Sequence, residues 1–365
     1  MSLDLKRRVL FVSLFNNFTG STKVLSQVIE ACLKENMDIE IITSPEEGFL
    51  SNIDGVKYHF VNYKWSDSKI ILFYNYFKAQ VAYFFILAYR LNRSSVVYIN
   101  TITPIGAFAA CIFKSIKPLV HVHEKFVRKT KLHESMEWLM NRTGGRKIFV
   151  SNYLFNAYDK PENSVVIHNA VNDPKQINSS KRSFCEDSKI ILMIASCRTY
   201  KGIAEFVKLA NILPNFHFEL VLSAKEIEVK AFMKNFHFRH SNYTIHTVQN
   251  DLSDFYKRAS LVLNLSLPKE WIETFGMTIL EALSHGKPCI VPPIGGPLEL
   301  IDDAVNGYLI DPVNVVLIKE KIEQLFSDTK LYEQMSFLAL EKFKKFDRKL
   351  FNEKILKEIN CIKYD

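Results

Sequence analysis

The sequence has few of the features that mark secreted, disulfide-stapled or membrane-spanning proteins. Its six cysteines are scattered and include no C-x-x-C pair, which argues against a disulfide or zinc framework and favours reduced thiols. The longest apolar stretch, residues 79–89, is about half of the roughly 20 residues that span a bilayer, so no transmembrane helix is predicted. The N-terminal apolar run is too short for a signal peptide, so we expect a cytoplasmic protein.

Acidic residues are fewer than basic ones, which gives a net charge of +8, and this charge is unevenly distributed along the chain. Residues 1–183 contain 24 Lys+Arg against 15 Asp+Glu, whereas residues 184–365 contain 23 against 24. A basic first half indicates an anionic partner, such as a phosphorylated substrate, nucleic acid or an acidic membrane surface, unless these lysines are simply solvated. No aromatic-basic module supports nucleic acid, so we expect no nucleic-acid partner.

One apolar segment in this basic half has two interpretations. Residues 79–89, AQVAYFFILAY, are rich in aromatic residues, and they lie between ILFYNYFK and RLNR. A buried helix is the favoured interpretation, and a helix that lies on a membrane surface is the alternative.

Short apolar runs alternate with amphipathic segments along the chain, as in RVLFVSLF, STKVLSQVIEACLKE and DIEIITS. This alternation predicts an α/β protein with doubly wound parallel sheets covered by helices on both faces. The alternation restarts near residue 188, after a polar segment with little periodicity at residues 172–188. A length of 365 residues suits two such domains, with a cleft between them and ligands at the carboxyl ends of the strands.

The dinucleotide-binding G-x-G-x-x-G fingerprint is absent, but acid, glycine and proline are concentrated in EWIETFGMTILEALSHGKPCIVPPIGGPLEL, residues 270–300. We predict a helix from about Phe275 to Ser284, with Glu273 just before it and Glu281 inside it. Each carboxylate could accept hydrogen bonds from vicinal hydroxyls of a ribose or a hexose. The alternative is a capping glutamate and a surface glutamate on an ordinary helix. The amides that begin this helix are predicted to attract phosphate or sugar hydroxyls, and they belong to Phe275, Gly276, Met277 and Thr278.

Two further loops follow predicted strands. SCRTYKG places Arg198 and Lys201 where a doubly wound domain binds its ligand, and two cations there suit a diphosphate, although basic loop residues are often only solvated. NNFTGSTK, after the first strand, could bring the backbone at Gly20 and Ser21 toward a ligand. In LVHVHEKF, alternation puts His121 and His123 on one face of a strand, but no third metal ligand follows at a suitable spacing.

Together these motifs resemble the family 4 retaining glycosyltransferases and their E-x7-E signature, ETFGMTILE, most closely over residues 189–312. The resemblance implies the GT-B architecture, in which two Rossmann-like domains face each other across a cleft. It implies an acceptor-binding domain that consists of residues 1–171 and a C-terminal crossover helix at about 346–365. Between these two segments it implies a linker at 172–188 and a nucleotide-sugar-binding domain at 189–345.

The resemblance also implies roles for individual residues. Arg198 and Lys201 would hold the donor diphosphate, and Glu281 would bind the ribose hydroxyls. Glu273 would contact the transferred sugar with the amides of the helix start, and His123 would face that sugar. The family needs no metal ion or other cofactor. Two departures are notable: Gly20-Ser21 stands where many relatives have two glycines, and PKEWIE is longer and bulkier than the usual segment.

The predicted activity is retaining transfer of a hexose from a nucleoside diphosphate sugar to a hydroxyl of a glycan or a lipid-linked glycan. Bacterial surface-polysaccharide biosynthesis, such as that of lipopolysaccharide or capsule, is the expected setting. The enzyme would then associate peripherally with the anionic inner face of the cytoplasmic membrane through its N-terminal domain. A GT-B nucleotide-sugar epimerase or phosphorylase and an inactive nucleotide-sugar-binding scaffold are the alternatives.

Overall fold

The computed structural model describes residues 6–64, 66, 68–92, 95–127, 130–172, 189–249 and 251–362. The chain divides into two compact units, the first made of Met1–His168 with Lys349–Asp365 and the second of Asn169–Arg348. Apart from its first residue, the linker predicted at 172–188 lies outside the described residues, as does Cys185.

The first unit is an α/β unit built on one parallel sheet. Its strands are β1 Arg8–Ser13, β2 Asp38–Thr43, β3 Val56–Phe60, β4 Ser95–Asn100, β5 Leu119–Val122, β6 Arg146–Phe149 and β7 Ser164–Val166. Its helices are α1 Gly20–Lys34, α2 Lys69–Arg90, α3 Ile105–Phe113, α4 Lys131–Arg142, α5 Asn152–Ala157 and, from its second residue on, the C-terminal helix α13 Arg348–Cys361. The strands pair in the order β3-β2-β1-β4-β5-β6-β7.

The second unit repeats this plan. Its strands are β8 Ile190–Ala195, β9 His217–Leu222, β10 Tyr243–His246, β11 Leu261–Leu263, β12 Cys289–Val291 and β13 Gly307–Leu309. Its helices are α6 Ile203–Ile212, α7 Glu226–Met233, α8 Ser253–Arg258, α9 Met277–Ser284, α10 Pro297–Leu300, α11 Val315–Ser327 and α12 Thr329–Phe343. The strands pair in parallel in the order β10-β9-β8-β11-β12-β13.

Burial explains why these segments form a doubly wound fold. Every residue of β4 is buried, as expected of a parallel strand covered by helices on both faces. On α1, the apolar residues predicted to share one face are all fully buried: Val24, Leu25, Val28, Ile29 and Cys32. The predicted fold class, with its two doubly wound parallel sheets, is therefore confirmed.

Strands β3, β12 and β13 have no clear signal in the sequence and were not predicted. β3 lies at the edge of its sheet and alternates between exposed and partly buried residues, so it has no continuous apolar run. β12 and β13 contain three residues each, which is too short for a periodic signal. These segments form strands because the neighbouring strands of the sheet supply hydrogen-bond partners for their backbones.

Helix α2 corrects the favoured interpretation of residues 79–89. The helix begins at Lys69, ten residues before that stretch, and its 22 residues are long and apolar enough to cross a membrane. Its inner residues Tyr83 and Leu87 are fully buried, but Phe85 and Tyr89 are 65% and 87% exposed. The prediction of a buried helix is thus wrong for the outer face.

Each sheet has a point where the strand order reverses. In the first unit this point lies between β1 and β4, and in the second between β8 and β11. Doubly wound sheets bind ligands just outside the carboxyl ends of the strands at this point. The loops after β8 and β11 therefore define the candidate site of the second unit.

Candidate functional site

In the second unit the site consists of two loops. The first follows β8 and contains a 3-10 turn at Thr199–Lys201, and the second follows β11 and runs to the start of α9. The backbone of Leu267 donates to the carbonyl of Tyr200 at 2.8 Å, which ties the loops together. Gly202 (φ +79°) ends the first loop, and a Cβ added there would lie 2.1 Å from the carbonyl oxygen of Leu265. Glycine is therefore required for the loops to approach so closely.

The central contact of the site joins Lys201 to Glu273. Lys201 Nζ donates to Glu273 Oε1, and Ser266 Oγ donates to the same oxygen at 3.0 Å. The two side chains are 17% and 18% exposed, so the ion pair is largely removed from water. The structure thus brings together a predicted diphosphate-binding cation and the predicted sugar-binding carboxylate.

The surroundings keep Glu273 ionised. Burial acts to raise the pKa of this carboxyl, but the Lys201 ammonium and hydrogen bonds from Lys201, Ser266 and Asn264 outweigh it. The net result is a pKa below the usual value for glutamate. At neutral pH the site therefore presents a fixed carboxylate, suited to accept hydrogen bonds from sugar hydroxyls or to stabilise developing positive charge.

Gly295 and Gly296, which follow the signature in sequence, hold the loop that carries Glu273. Gly296 N donates to the Glu273 carbonyl at 2.8 Å. A Cβ added at Gly295 (φ +85°) would lie 2.4 Å from that oxygen, and one at Gly296 would lie 2.3 Å from the Cα of Phe275. The glycines are thus needed to fix the backbone of the glutamate loop.

Helix α9 begins at Met277, two residues later than predicted. Gly276 has φ 103° and ψ 67°, a left-handed conformation that lies outside the helix and favours glycine. Its carbonyl accepts hydrogen bonds from the backbone of Ile279 and Leu280, both at 3.1 Å. The amides of Met277 and Thr278 are among the first of the helix, which have no acceptor within it.

The second glutamate of the signature lies inside α9, as predicted. Glu281 is 7% exposed, and the buried phenol of Tyr256 donates to its Oε2 at 2.8 Å. His285 stacks on the Tyr256 ring at 5.3 Å between centroids. Tyr256 therefore fixes the Glu281 carboxylate and satisfies one of its oxygens, a contact that the sequence did not predict.

Arg198, the other predicted diphosphate-binding cation, is not largely buried as Lys201 is. Arg198 is exposed, and its backbone precedes the 3-10 turn, with Lys201 N donating to the Arg198 carbonyl at 3.1 Å. Phe275 is buried and lies 5.9 Å from Phe346, ring centre to ring centre, so its side chain contributes to the core.

Sequence reasoning assigned no role to an aromatic pair beside Lys201. Trp271 stacks on Tyr200 with centroids 5.5 Å apart and an angle of 22° between the rings. Lys201 Nζ lies 5.3 Å from the Trp271 centroid, within range of a cation–π interaction. Trp271 Nε1 is buried and has no hydrogen-bond partner among the described residues. The only signal for this pair was the unusual bulk of PKEWIE.

In the first unit, His121 and His123 lie at the end of β5. His121 is fully buried, with Nδ1 2.6 Å from the hydroxyl of Tyr98, and its ring centre lies 4.2 Å from that of His123. Burial lowers the pKa of His123 to about 3, so this imidazole is neutral at physiological pH. Among the described residues, no group of three His, Cys, Asp or Glu side chains could hold a metal ion.

Glu124 follows His123 and supports the loop after β4. Its Oε1 accepts a hydrogen bond from the backbone of Ile102 at 3.0 Å. Next to Ile102, Thr101 has φ 71°, an uncommon conformation for a β-branched residue. Burial raises the pKa of Glu124 to about 7, although hydrogen bonds from Ile102, His123 and Thr101 oppose the rise.

Gly20 and Ser21 form the start of α1, at the carboxyl end of β1. Asn100, the last residue of β4, donates weakly to the Ser21 carbonyl at 3.4 Å. Thr22 Oγ1, in the first turn of the helix, donates to the carbonyl of Asn17 in the preceding loop at 2.7 Å. The loop is therefore ordered by its own polar side chains. The roles predicted for these residues, and for His123, remain predictions.

A comparison with protein families finds a match in the second half of the chain. Residues 174–339 match the family described as glycosyl transferases group 1. The sucrose synthase of Melioribacter roseus is 38% identical over 89 residues, which is 23% of this chain and 11% of the relative. An uncharacterized glycosyltransferase of Methanocaldococcus jannaschii is 28% identical over 220 residues, covering 54% of this chain and 55% of the relative. The chain thus spans little more than half the length of these relatives at most.

Solved structures resemble the chain over nearly its whole length. HepE of Anabaena in complex with UDP-glucose has a TM-score of 0.78 and 16% identity, with 97% of this chain and 100% of that chain covered. WaaG, a glycosyltransferase involved in lipopolysaccharide biosynthesis, has a TM-score of 0.72 and 16% identity over 97% and 100%. At this level of identity the likeness shows the fold, and the predicted GT-B fold is confirmed.

Proposed function

Because residues 174–339 match the family of group 1 glycosyl transferases, we propose that this chain is a retaining, metal-independent hexosyltransferase. Its donor is a nucleoside diphosphate sugar. UDP-glucose is the first donor to test because the structurally similar HepE binds it. The acceptor is a hydroxyl of a glycan or a lipid-linked glycan in bacterial cell-surface polysaccharide biosynthesis. A structural likeness to WaaG, an enzyme of lipopolysaccharide biosynthesis, supports this class of acceptor.

The observation that carries the proposal is the Lys201–Glu273 pair at the β8–β11 switch point. A diphosphate leaving group carries negative charge, and Lys201 and Arg198 are the cations that stabilise it as the bond to the sugar breaks. The amides at the start of α9 supply further positive partial charge. In this proposal these groups neutralise the diphosphate, and a divalent ion is not needed.

Retention of configuration follows from attack on the face that the diphosphate leaves. The acceptor oxygen bonds to the anomeric carbon, the bond from that carbon to the diphosphate breaks, and a diphosphate oxygen takes the acceptor proton. Glu273 orients the sugar hydroxyls and stabilises the positive charge that develops on the ring. Glu281, held by Tyr256, accepts hydrogen bonds from the ribose hydroxyls.

Nucleotide-dependent thermal stabilisation is the first test. UDP, GDP, ADP and CMP are compared on the wild type, Arg198→Ala and Glu281→Ala. A nucleotide at about 100 times its Kd should add roughly 2.7 kcal/mol of stability. One nucleotide that stabilises the wild type more than either variant supports the donor site; equal stabilisation of all three proteins contradicts it.

The reaction itself is tested with the donor that the stabilising nucleotide indicates. Proton NMR of the product should show the anomeric configuration of the donor, and EDTA should leave the rate unchanged. Incubation with donor alone exposes an epimerase, since the sugar of the donor would then change. Nucleotide binding without any turnover would indicate an inactive scaffold.

The acceptor places the enzyme at a membrane in this proposal. A lipid-linked glycan is embedded in the inner face of the cytoplasmic membrane, so we propose peripheral association of the first unit with that surface. The basic excess of residues 1–183 and the exposed apolar face of α2 support it. Nucleic acid has no part in the proposed function.

A further inference from the structure

The outer face of helix α2 exposes an apolar surface that a water-soluble helix normally lacks. Its residues recur at helical spacing, and several are more than 60% exposed. The outer residues are Ile70, Phe73, Tyr74, Phe77, Val81, Phe85 and Tyr89. Phe113 of α3 is 69% exposed and lies beside them, with its ring 5.8 Å from that of Phe84.

The size of this surface exceeds what an isolated protein normally exposes. At roughly 200 Å² for each large side chain, the exposed fractions of these residues correspond to on the order of 1,000 Å². The largest apolar patch on a typical monomer is about 300–600 Å². The stripe from residue 70 to residue 89 runs for about 29 Å along the helix. An apolar surface of this size is typical of an interaction site.

The inner face shows that α2 remains part of the first unit. Tyr83 Oη donates to the Ser13 carbonyl at 2.8 Å, and Tyr76 Oη donates to the Thr103 carbonyl at 2.7 Å. The α2–α3 contact is also tight, since a Cβ at Gly106 would lie 1.9 Å from the Gln80 carbonyl oxygen. These contacts would be lost if α2 crossed a bilayer, so the helix is suited to lie on a surface.

The basic residues near this surface favour an anionic bilayer as the partner. Between residues 68 and 123 the sequence contains no Asp or Glu but six basic residues, among them Lys69 and Lys78 of α2 and Lys114 next to Phe113, whereas Arg90 at the end of α2 pairs with Glu40 at 3.7 Å. A second copy of the chain docked through α2 in a symmetric dimer would bring these like charges together. An anionic bilayer offers both opposite charge and an apolar interior.

We propose that the outer face of α2, with Phe113 beside it, inserts into the headgroup region of an anionic bilayer. The helix lies parallel to the membrane, its aromatic side chains enter the acyl boundary, and its lysines contact anionic headgroups. This inference deepens the membrane association of the proposed function and rests on it for the lipid-linked acceptor. Binding to the bilayer itself requires neither donor nor acceptor.

Vesicle flotation of the full chain tests the inference. Vesicles of phosphatidylcholine with phosphatidylglycerol are compared with vesicles of phosphatidylcholine alone, without nucleotide, at low and high salt. The wild type should float with the anionic vesicles at low salt. Phe77→Ser/Phe85→Ser should reduce the partition coefficient at least tenfold. Lys69→Ala/Lys78→Ala should reduce it by about 25-fold, since each basic residue contributes about fivefold.

A matched control separates the α2 surface from general hydrophobicity. Phe337 on α12 is 59% exposed, close to Phe77 at 61%, so Phe337→Ser should float like the wild type. Nucleotide-dependent thermal stabilisation should be unchanged in the α2 variants, which also shows that they fold. If the wild type floats with the vesicles but has no transfer activity, the proposed reaction is contradicted and the inference of membrane binding is not.

Three results would overturn the inference. The first is a wild type that stays unbound to anionic vesicles at low salt. The second is a Phe77→Ser/Phe85→Ser variant that binds as well as the wild type. The third is a wild-type dimer in sedimentation velocity that this variant converts to a monomer, because the patch would then be a self-interface.

Discussion

Lys201 and Glu273 form an ion pair that joins the loop after β8 to the loop before α9. The residues are 72 positions apart in sequence, and both are largely buried. Each was predicted to contact a different part of the donor, the lysine its diphosphate and the glutamate its sugar. Their direct contact means that the ammonium and the carboxylate neutralise each other, so in the proposed function the donor diphosphate would share Lys201 with Glu273.

A double-mutant cycle on this pair should show strong coupling. Lys201→Met or Glu273→Gln alone leaves the other charge buried without its partner, so each should lower the free energy of unfolding by about 3–5 kcal/mol. The double variant should lose less than the sum, with a coupling energy of about 1–3 kcal/mol measured by chemical denaturation.

The exposed pair of Lys230 and Glu226 provides the control for this cycle. Its side chains are 73% and 70% exposed, so Lys230→Met should leave the free energy of unfolding close to that of the wild type. Additive effects of Lys201→Met and Glu273→Gln would show that the contact contributes nothing to stability.

Replacing Gly295 should displace Glu273. In Gly295→Ala, the new Cβ would lie 2.4 Å from the Glu273 carbonyl oxygen, and the residue has φ +85°. The glutamate loop must shift, so we expect a loss of transfer activity of about 100-fold, since misplacement by about 1 Å is that costly. Initial rates of transfer at saturating donor measure this loss.

Gly144→Ala is the matched control. Gly144 has φ +63°, and a Cβ there would have no atom within 4 Å, so the variant has the backbone strain without the collision. It should lose about 1 kcal/mol of stability and retain full activity. Equal activity in both variants would show that the position of the glutamate loop is not critical.

The sequence indicated which loops carry the candidate site residues but could not predict how these loops contact each other. Arg198 and Lys201 were identified by their place after a strand, and Glu273 by its place before a helix. That Lys201 turns toward Glu273 depends on the turn at Gly202, which packs against Leu265. Such a contact depends on tertiary packing, which one sequence does not reveal.

The exposed face of α2 shows a different limit of sequence reasoning. Amphipathic periodicity identifies the buried side of a helix because the other side is polar. On α2 both sides are apolar, so the pattern contains no information about which side faces the sheet. The inner face is defined by Tyr76 and Tyr83, whose hydroxyls find backbone carbonyls in the first unit.

Tyr256 should contribute to nucleotide affinity through Glu281. Tyr256→Phe removes the 2.8 Å hydrogen bond that fixes the Glu281 carboxylate. We expect the Kd of the stabilising nucleotide to rise about tenfold, or ~1.4 kcal/mol, measured by isothermal titration calorimetry. Tyr332→Phe removes a comparable buried bond, to the Ser260 carbonyl at 2.9 Å, and should lose similar stability without loss of affinity. An unchanged Kd in Tyr256→Phe would show that this hydrogen bond does not position Glu281.

Glu124 should make the protein less stable as the pH rises. Burial raises its pKa from 4.5 to about 7, so the folded state binds a proton more tightly than the unfolded state. The stability that this proton provides is complete below about pH 4.5 and is lost as the pH rises through about 7. Glu124→Gln removes this titration and keeps an oxygen that can accept the bond from Ile102.

The free energy of unfolding of both proteins, measured from pH 5 to pH 8, tests this prediction. Relative to the wild type, Glu124→Gln should gain about 1–3 kcal/mol between the two ends of the range. His123 titrates with the opposite sign, since its pKa is lowered to about 3, but it is present in both proteins and cancels in the difference. A difference that stays constant over this range would mean that Glu124 titrates near its ordinary pKa, and that its contact with Ile102 offsets the effect of burial.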